Sequence, residues 1–370
     1  MVSPTGSYVG TNEVFKAYRD YGIIKLVLTP LVYVATLLTH LFGGSAGREG
    51  AALQMGGSLG SSIARALKLS KRSARVMVMC GMSAVFTALF GTPLAATIFS
   101  IEVINVGSMY YYAFLPALVA SYVALWIAQY FGCPAFAGTR VVMPEFGLAS
   151  CGKVFLLALL CSFVAMIFCF ALHYSSAMFK KIFKNSYIRV FVGGVLVIIL
   201  TLIFGNEFNG AGSEAIANAL NGQSTWSEWI LKIVFTVCTL GTGFKGGEIV
   251  PSFFIGSTFA NSFAPLLGLD AQLGGAIGLI TVFCAVTNAP IASLVLSFEL
   301  FGAEAGVLFT LAVATGYAFS GYTGLYDGQR IVYSKLDAKY VDVHVNKEVG
   351  EDKRAELEDQ DGEEPEKFMK

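Results

Sequence analysis

Charge is what this chain has least of. Only 14% of its 370 residues are Asp, Glu, Lys or Arg, against 55% hydrophobic residues, whereas a soluble globular chain carries about 25% charged residues. Long stretches have none: no charged side chain lies between Glu102 and Arg140, between Lys153 and Lys180, or between Asp270 and Glu299. Each gap exceeds the roughly 20 residues that a membrane-spanning helix needs, so a polytopic α-helical membrane protein is expected, with the lipid bilayer as its solvent. Histidine is scarce, with three in the chain, and the seven cysteines include no Cys-x-x-Cys pair. That leaves no metal-ligand cluster and no disulfide framework, and makes buried packing the reading for the thiols. His40, His173 and His344 form no nucleophile or metal constellation, so an enzyme is disfavoured and no cofactor is implied. No Gly loop carries the Lys-Ser/Thr ending of a phosphate cradle, and nothing points to nucleic acid. The opening Met1-Val2-Ser3-Pro4-Thr5-Gly6-Ser7 lacks the basic start and apolar core of a cleavable signal peptide and reads as a loop.

The few charges are unevenly placed. Residues 347–370 hold ten acidic and five basic side chains, net −5, which leaves +5 on residues 1–346. This acidic polar tail is expected to be a solvated extension of a transport-type domain covering 1–346. Basic clusters at Lys68 to Arg75 and Lys180 to Arg189 are candidates for the cytoplasmic side by the positive-inside rule. One acidic residue stands out. Glu49 sits in Gly43-Gly44-Ser45-Ala46-Gly47-Arg48-Glu49-Gly50-Ala51, between two apolar runs. A charge at membrane depth costs about 2.5–3.5 kcal/mol on insertion scales and is kept beside a cavity, a partner or an ion path.

The chain also contains itself twice. Gly81-Met82-Ser83-Ala84-Val85-Phe86, Pro93-Leu94-Ala95 and Phe99-Ser100-Ile101-Glu102 recur as Gly278-Leu279-Ile280-Thr281-Val282-Phe283, Pro290-Ile291-Ala292 and Leu296-Ser297-Phe298-Glu299, at an offset of 197. Upstream, Gly47-Arg48-Glu49-Gly50-Ala51 to Gly56 matches Gly247-Glu248-Ile249-Val250-Pro251 to Gly256 at an offset of 200. Such duplication suggests two repeats, about 8–131 and 153–324, with an ion site where broken helices meet near the midplane. The segments starting at Glu49 and Glu248 read as too brief to cross a bilayer unaided. Exposed backbone there is tolerable only if it lines a cavity or is buried in protein.

Helix ends supply the chemistry. Gly47 to Gly50 and Gly246 to Val250 would present free N–H groups at helix N-termini, where partial positive charge attracts an anion. Each terminus contributes about 0.3–1 kcal/mol when exposed and towards ~2 kcal/mol when partly buried. Two converging termini would hold a small anion weakly enough for it to leave. Glu49 would compete for the same donors when ionised and yield when protonated, which links anion passage to proton uptake. The bland alternatives are close helix packing at the Gly-x-x-Gly runs, a merely neutralising Arg48, and caps or packing partners in Glu102 and Glu299.

These motifs resemble the CLC family of chloride channels and anion/proton antiporters. Gly47-Arg48-Glu49-Gly50-Ala51 is similar to the family's Gly-Arg-Glu-Gly-Pro motif, with Ala51 in place of Pro; Lys245 to Pro251 is similar to its second Gly-rich motif, and Phe99 to Glu102 to the segment after its Asn-Ala-Pro turn. The resemblance implies two inverted-topology repeats with broken and re-entrant helices, in an all-α fold. It also implies a homodimer with one pathway per subunit, chloride as the default anion, protons as the coupled ion, and Glu49 as gate. The bacterial type of member, without an appended regulatory domain, is the nearest match, which suggests a bacterial cell membrane. Gly47, Arg48, Gly50, Ile249 and Val250 become anion-site residues, and Glu248 a candidate second proton-linked carboxylate. Tyr326, near the start of a last helix expected at about 326–336, would donate its hydroxyl to the anion, with Tyr333 as runner-up. Thr11, in Tyr8-Val9-Gly10-Thr11-Asn12, stands in for the serine of the first selectivity loop.

Departures bear on subtype. Val103 occupies the place of the antiporters' inner proton-relay glutamate, as an apolar residue does in channel members. The fluoride-exporting branch also lacks that glutamate, and resembles this chain in having Glu at position 248 and in the Thr39 to Ala46 run. Thr11 and Val250 differ from that branch, which has Met and Thr at those places, and they speak for chloride. Members usually place two or three helices ahead of the first selectivity loop, and this chain begins almost at it. The expectation is therefore a first repeat without its leading helices, which keeps open an inactive or scaffold membrane fragment.

Overall fold

The computed structural model describes residues 10–19, 24–133 and 146–346, together with 135, 136, 138, 141 and 144. The acidic tail and the first part of the Tyr8–Asn12 segment lie outside these residues. Helices dominate. In chain order they are α1 (Thr11–Arg19), α2 (Leu28–Leu41), α3 (Glu49–Ala66), α4 (Lys71–Phe90), α5 (Pro93–Glu102), α6 (Phe114–Tyr130), α7 (Leu148–Ile182), α8 (Ser186–Phe204), α9 (Ser213–Leu220), α10 (Glu228–Gly241), α11 (Ile249–Phe263), α12 (Ala271–Thr287), α13 (Pro290–Phe301) and α14 (Gly306–Phe319).

The duplication is visible element by element, since α1–α6 recur in order as α9–α14. Both copies break at the same place and by the same means. α4 ends on Gly91 (φ 72°) and α12 on Asn288 (φ 55°), each in the left-handed region, and Pro93 and Pro290 restart the chain at the first position of the next helix. A proline has no N–H to lose at that position, and its fixed φ suits a helix start. The long uncharged gap from Asp270 to Glu299 is thus two helices, because Asn288 reverses the backbone inside it. Glycine allows the pairs α3–α4 and α11–α12 to cross almost backbone to backbone: a Cβ on Gly56 or Gly81 would overlap the other's carbonyl, as would one on Gly256 or Gly278. The packing reading of the Gly-x-x-Gly runs therefore holds on the far faces of α3 and α11, beside whatever their N-termini do.

Phenylalanine fills the space between the repeats. Phe86 packs on Phe99 (ring centroids 4.8 Å apart), Phe99 meets Phe283 of the second half (5.7 Å), and Phe283 packs on Phe253 (5.2 Å). Apolar side chains also cover the outside: Trp126 and Tyr130 on α6 and Leu202 on α8 are 68, 77 and 82% exposed, as expected where the solvent is hydrocarbon. Among the described residues five helical segments are long and apolar enough to cross a membrane, namely 71–90, 111–130, 148–182, 186–204 and 249–267. The 35-residue α7 is about 52 Å long; against a hydrocarbon core of roughly 30 Å it must tilt or project. One expectation is corrected here. The second Gly-led segment is not too brief, because a 3₁₀ turn extends α11 to a 19-residue apolar stretch ending at Leu267.

The end of the described chain brings a second correction. No helix forms at 326–336. Turns lead instead into β2 (Arg330–Tyr333), which pairs parallel with β1 (Asn105–Val106) and antiparallel with β3 (Tyr340–His344). Val106, Ile331, Val343 and Val345 close over this small sheet as a separate apolar cluster, and Arg330 forms an ion pair with Asp342. The β-branched residues of Arg330-Ile331-Val332-Tyr333 suit a strand, and its partner lies more than 200 residues earlier. The fold is therefore mostly helical rather than all-α.

Candidate functional site

The two Gly-rich loops meet in the middle of the molecule. Gly47 N–H donates to the Gly247 carbonyl at 2.7 Å, and Gly247 N–H donates back at 2.6 Å, an isolated antiparallel bridge between the repeats. Neighbouring contacts hold it: Ser45 N–H donates to Thr239 Oγ1 (3.0 Å), the Ser45 and Thr236 hydroxyls lie 3.1 Å apart, and Gly210 N–H donates to the Gly44 carbonyl (3.1 Å). The bridge requires glycine on the second loop, since a Cβ on Gly247 would sit 2.6 Å from Gly50 N and 2.9 Å from Glu49 N. The N-termini of α3 and α11 are thereby brought face to face.

Glu49 is the first residue of α3 and is 1% exposed. Its Oε1 accepts from the Arg48 N–H (3.0 Å) and its Oε2 from the Val250 N–H (3.3 Å). One carboxylate therefore draws on donors from both helix starts. Arg48 supplies its main chain to this contact while its side chain is exposed, and Ile249 is fully buried behind Val250. Gly50 packs against Gly247, with Thr11 beside it: the Thr11 hydroxyl is 3.5 Å from the Gly50 carbonyl. Glu248 caps no N–H of α11 with its side chain and instead lines an open vestibule of about 700 Å³, together with Thr11, His173 and Asp327.

Tyr326 also arrives here, though from a turn rather than a helix. It is 2% exposed, its ring stands edge-on to Phe15 at 5.2 Å, and its buried hydroxyl has no hydrogen-bond partner among the described residues. Its chain neighbours Leu325 and Asp327 line the same vestibule as Thr11 and Glu248. The Asn12 side chain, accepting from Gly328 N–H at 2.8 Å, ties α1 to this turn. An orphaned buried hydroxyl costs about 1–3 kcal/mol, and a small anion beside it would take that proton. Tyr333 is not at the site: it lies on β2, 49% exposed, against Tyr340.

A family profile described as "Voltage gated chloride channel" matches residues 2–321. The chain belongs to the CLC family. Among its relatives, a "Chloride/fluoride channel protein" of Pseudomonas syringae pv. tomato is 37% identical over 337 residues, spanning 88% of this chain and 74% of that one. An "H(+)/Cl(-) exchange transporter ClcA" of Vibrio cholerae is 25% identical over 301 residues, 74% of this chain and 64% of that one. Among solved structures, a CLC-type fluoride/proton antiporter superposes with a TM-score of 0.83 at 33% identity, covering 86% of this chain and 81% of that one. A slow cyanobacterial Cl⁻/H⁺ antiporter reaches 0.73 at 21% identity over 86% and 78%, a likeness of fold alone. The protein is thus a multi-pass integral membrane protein with the CLC fold, of a family that transports anions and is not enzymatic.

Within the CLC frame the structure adds residues that the motifs did not indicate. Lys232 of α10 is fully buried, and its ammonium donates to the carbonyls of Phe208 (3.0 Å) and Gly210 (2.8 Å), 5.0 Å from the centre of the Phe254 ring. Gly210 is the residue that holds Gly44, so this buried cation anchors the loop that backs the Gly47–Gly247 bridge. An isolated Lys in an apolar helix is visible in the sequence as an expensive charge, but carbonyl partners leave no signature there. Gln329 is fully buried and donates from Nε2 to the carbonyls of Val103 and Thr287, each at 2.7 Å. A buried amide thus ties the main chain of Val103 to the end of α12.

Proposed function

We propose that this CLC protein is a proton-coupled halide antiporter gated by Glu49, with fluoride ahead of chloride as its anion. The observation that carries this reading is the position of one carboxylate on the N–H groups of Arg48 and Val250. Ionised, Glu49 fills the anion's place. Protonated, it is a weaker acceptor and gives up those donors, so a halide enters as a proton binds and leaves as it is released. Tyr326 Oη supplies a further donor to the bound halide, Thr11 and Gly50 form the adjoining wall, and Glu248 is a second carboxylate that can carry the proton towards the vestibule. Support for fluoride comes from the greater likeness to a chloride/fluoride channel protein and a fluoride/proton antiporter than to chloride exchangers.

Chloride is the second reading, because Thr11 and Val250 stand where the fluoride branch carries Met and Thr. The homodimer, with one pathway in each copy, is retained as part of the proposal. The scaffold or inactive-fragment alternative is disfavoured, since Thr11, both Gly-rich loops and Tyr326 converge within the described residues.

Reconstitution tests these readings together. In liposomes loaded with potassium fluoride or potassium chloride, halide and pH electrodes should record fluoride efflux faster than chloride efflux, with protons driven against their gradient. Glu49→Gln should abolish the proton movement. Chloride moving as fast as fluoride would reject fluoride preference; halide flux without protons would reject antiport; no flux of either halide would reject the Glu49 pathway.

A further inference from the structure

His173 on α7 faces the vestibule with a hydrogen-bond partner ready for each of its protonation states. Its Nδ1 lies 2.7 Å from the Cys169 carbonyl one turn back. A carbonyl only accepts, so Nδ1 keeps its hydrogen throughout. The other nitrogen, Nε2, has two neighbours of opposite character: Asp327 Oδ1, an acceptor, at 3.1 Å, and Asn346 Nδ2, a donor, at 3.2 Å. The orientation of the Asn346 amide is fixed by Gly324, whose N–H donates to Oδ1 (3.1 Å) and whose carbonyl accepts from Nδ2 (2.9 Å). One amide hydrogen is therefore committed to Gly324. The other has two takers, Asp327 Oδ1 at 2.9 Å and His173 Nε2. When His173 is neutral, its Nε2 lone pair accepts this hydrogen. When it is charged, Nε2–H donates to Asp327, and the amide hydrogen turns to the same carboxylate. Neither state leaves a ring nitrogen without a partner.

We propose that His173 is the proton-loading group of the pathway, taking a proton on Nε2 from water in the vestibule and handing it to the Glu248 carboxylate. This rests on the proton-coupled reading above. In each cycle hydronium loses a proton to Nε2, and the imidazolium then passes it to Glu248 and returns to the neutral form. His173 and Glu248 line the same vestibule of about 700 Å³, and a space of that size admits bridging water. His173 and Glu248 would supply protons where an inner glutamate is absent, and Asp327 directly follows Tyr326 in the chain. The charged groups around His173 are Asp327, Glu248 at the start of α11, Lys245 before it, Lys180 two turns further along α7, and Arg189 of α8, which bonds to the carbonyls of Thr242 and Phe183. The cations lie on the vestibule wall, while the two carboxylates are the groups that interact with the imidazole itself.

The alternative is a strap that merely fastens α7 to the turn carrying Tyr326. His173→Gln separates the two, because glutamine can still donate to Asp327 but cannot carry a proton. With the full chain in liposomes, halide efflux and proton uptake are read in the same vesicles. Because Glu49 can still take a proton from the opposite face of the membrane, His173→Gln should leave an uncoupled halide efflux within about twofold of native while proton uptake falls about a hundredfold, the scale of a lost general acid–base group. Asp327→Asn removes the charge that favours the imidazolium and should move the pH profile of proton uptake to more acidic values. Unchanged coupling in His173→Gln would overturn the inference and leave halide/proton antiport standing. Loss of halide efflux in a monodisperse His173→Gln protein would also overturn it, in favour of the strap. A native protein that moves halide without protons would overturn this inference and the antiport reading together, and one that moves no halide would fail at the earlier step.

Discussion

Glu102 and Glu299 cap each other's helices across the repeat interface. Glu102, the last residue of α5, accepts from the N–H groups of Ile291 (3.1 Å) and Ala292 (2.7 Å) at the start of α13; Glu299 of α13 accepts from Leu94 (3.0 Å) and Ala95 (2.8 Å) at the start of α5. Each carboxylate serves the free donors and positive end of the other repeat's Pro-led helix. Of the roles open to this pair from sequence, capping is the one the geometry supports. The pair is not symmetric in environment, since Glu102 is 4% exposed and Glu299 lies on the surface.

That asymmetry gives the first prediction. Glu102→Gln replaces one acceptor oxygen with an NH₂ group facing a buried N–H, and should cost about 1.5–3 kcal/mol, the worth of a hydrogen bond to a charged group. Glu299→Gln should cost measurably less. Thermal unfolding of the purified protein in detergent reads the difference. Halide selectivity and proton coupling should be unchanged in the Glu299 variant; altered coupling there would return Glu299 to the transport machinery.

The paired glycines at the centre should respond very differently to the same methyl group. The atoms nearest a Cβ on Gly47 would be those of the Glu49 carboxyl, a flexible side chain, whereas on Gly247 it would meet the main-chain nitrogens of Gly50 and Glu49. Gly47→Ala is therefore expected to fold and to hold Glu49 off its donors, giving halide flux that no longer depends on pH. Gly247→Ala should separate the two loops and lower the yield of folded protein. Flux assays on the first variant and size-exclusion chromatography on the second decide; pH-dependent flux in Gly47→Ala, equal to native, would dismiss Glu49 as gate.

Much of this was legible in the sequence because it repeats. A matching pair of motifs at offsets of 197 and 200 placed the Gly47 and Gly247 loops together, and an isolated Glu among glycines marked the proposed gate. What escaped were contacts whose partners have no local signature. Asn288 splits an uncharged stretch through a backbone angle, and β2 pairs on one side with Asn105 and Val106, more than 200 residues earlier. His173, Asp327 and Asn346 come from a helix, a turn and the end of β3. Lys232 finds its partners in carbonyl groups, which every residue has.

Lys232 should act through structure. Replacing it with methionine keeps much of the stem and removes the cation from the carbonyls of Phe208 and Gly210. Those acceptors are then left unpaired in a buried setting, at about 1–3 kcal/mol each, offset in part by the desolvation cost of the lost charge. The loop should loosen from Gly44, so Lys232→Met is expected to lower both the unfolding temperature and halide flux. The ratio of protons to halide moved should stay at the native value; a changed ratio would make Lys232 part of the proton route.

Tyr326 separates binding from stability most cleanly. Its hydroxyl has no partner among the described residues, so Tyr326→Phe removes an unsatisfied buried group and should leave the unfolding temperature unchanged or raise it. The same change takes a donor from the bound halide. A hydrogen bond to a charged group contributes about 1.5–3 kcal/mol, so the dissociation constant for fluoride or chloride, read by titration calorimetry, should rise by roughly ten- to a hundredfold. The two measurements pull in opposite directions only if the hydroxyl is reserved for a ligand. A packing role would lower stability and spare affinity, and a group with no role would move neither.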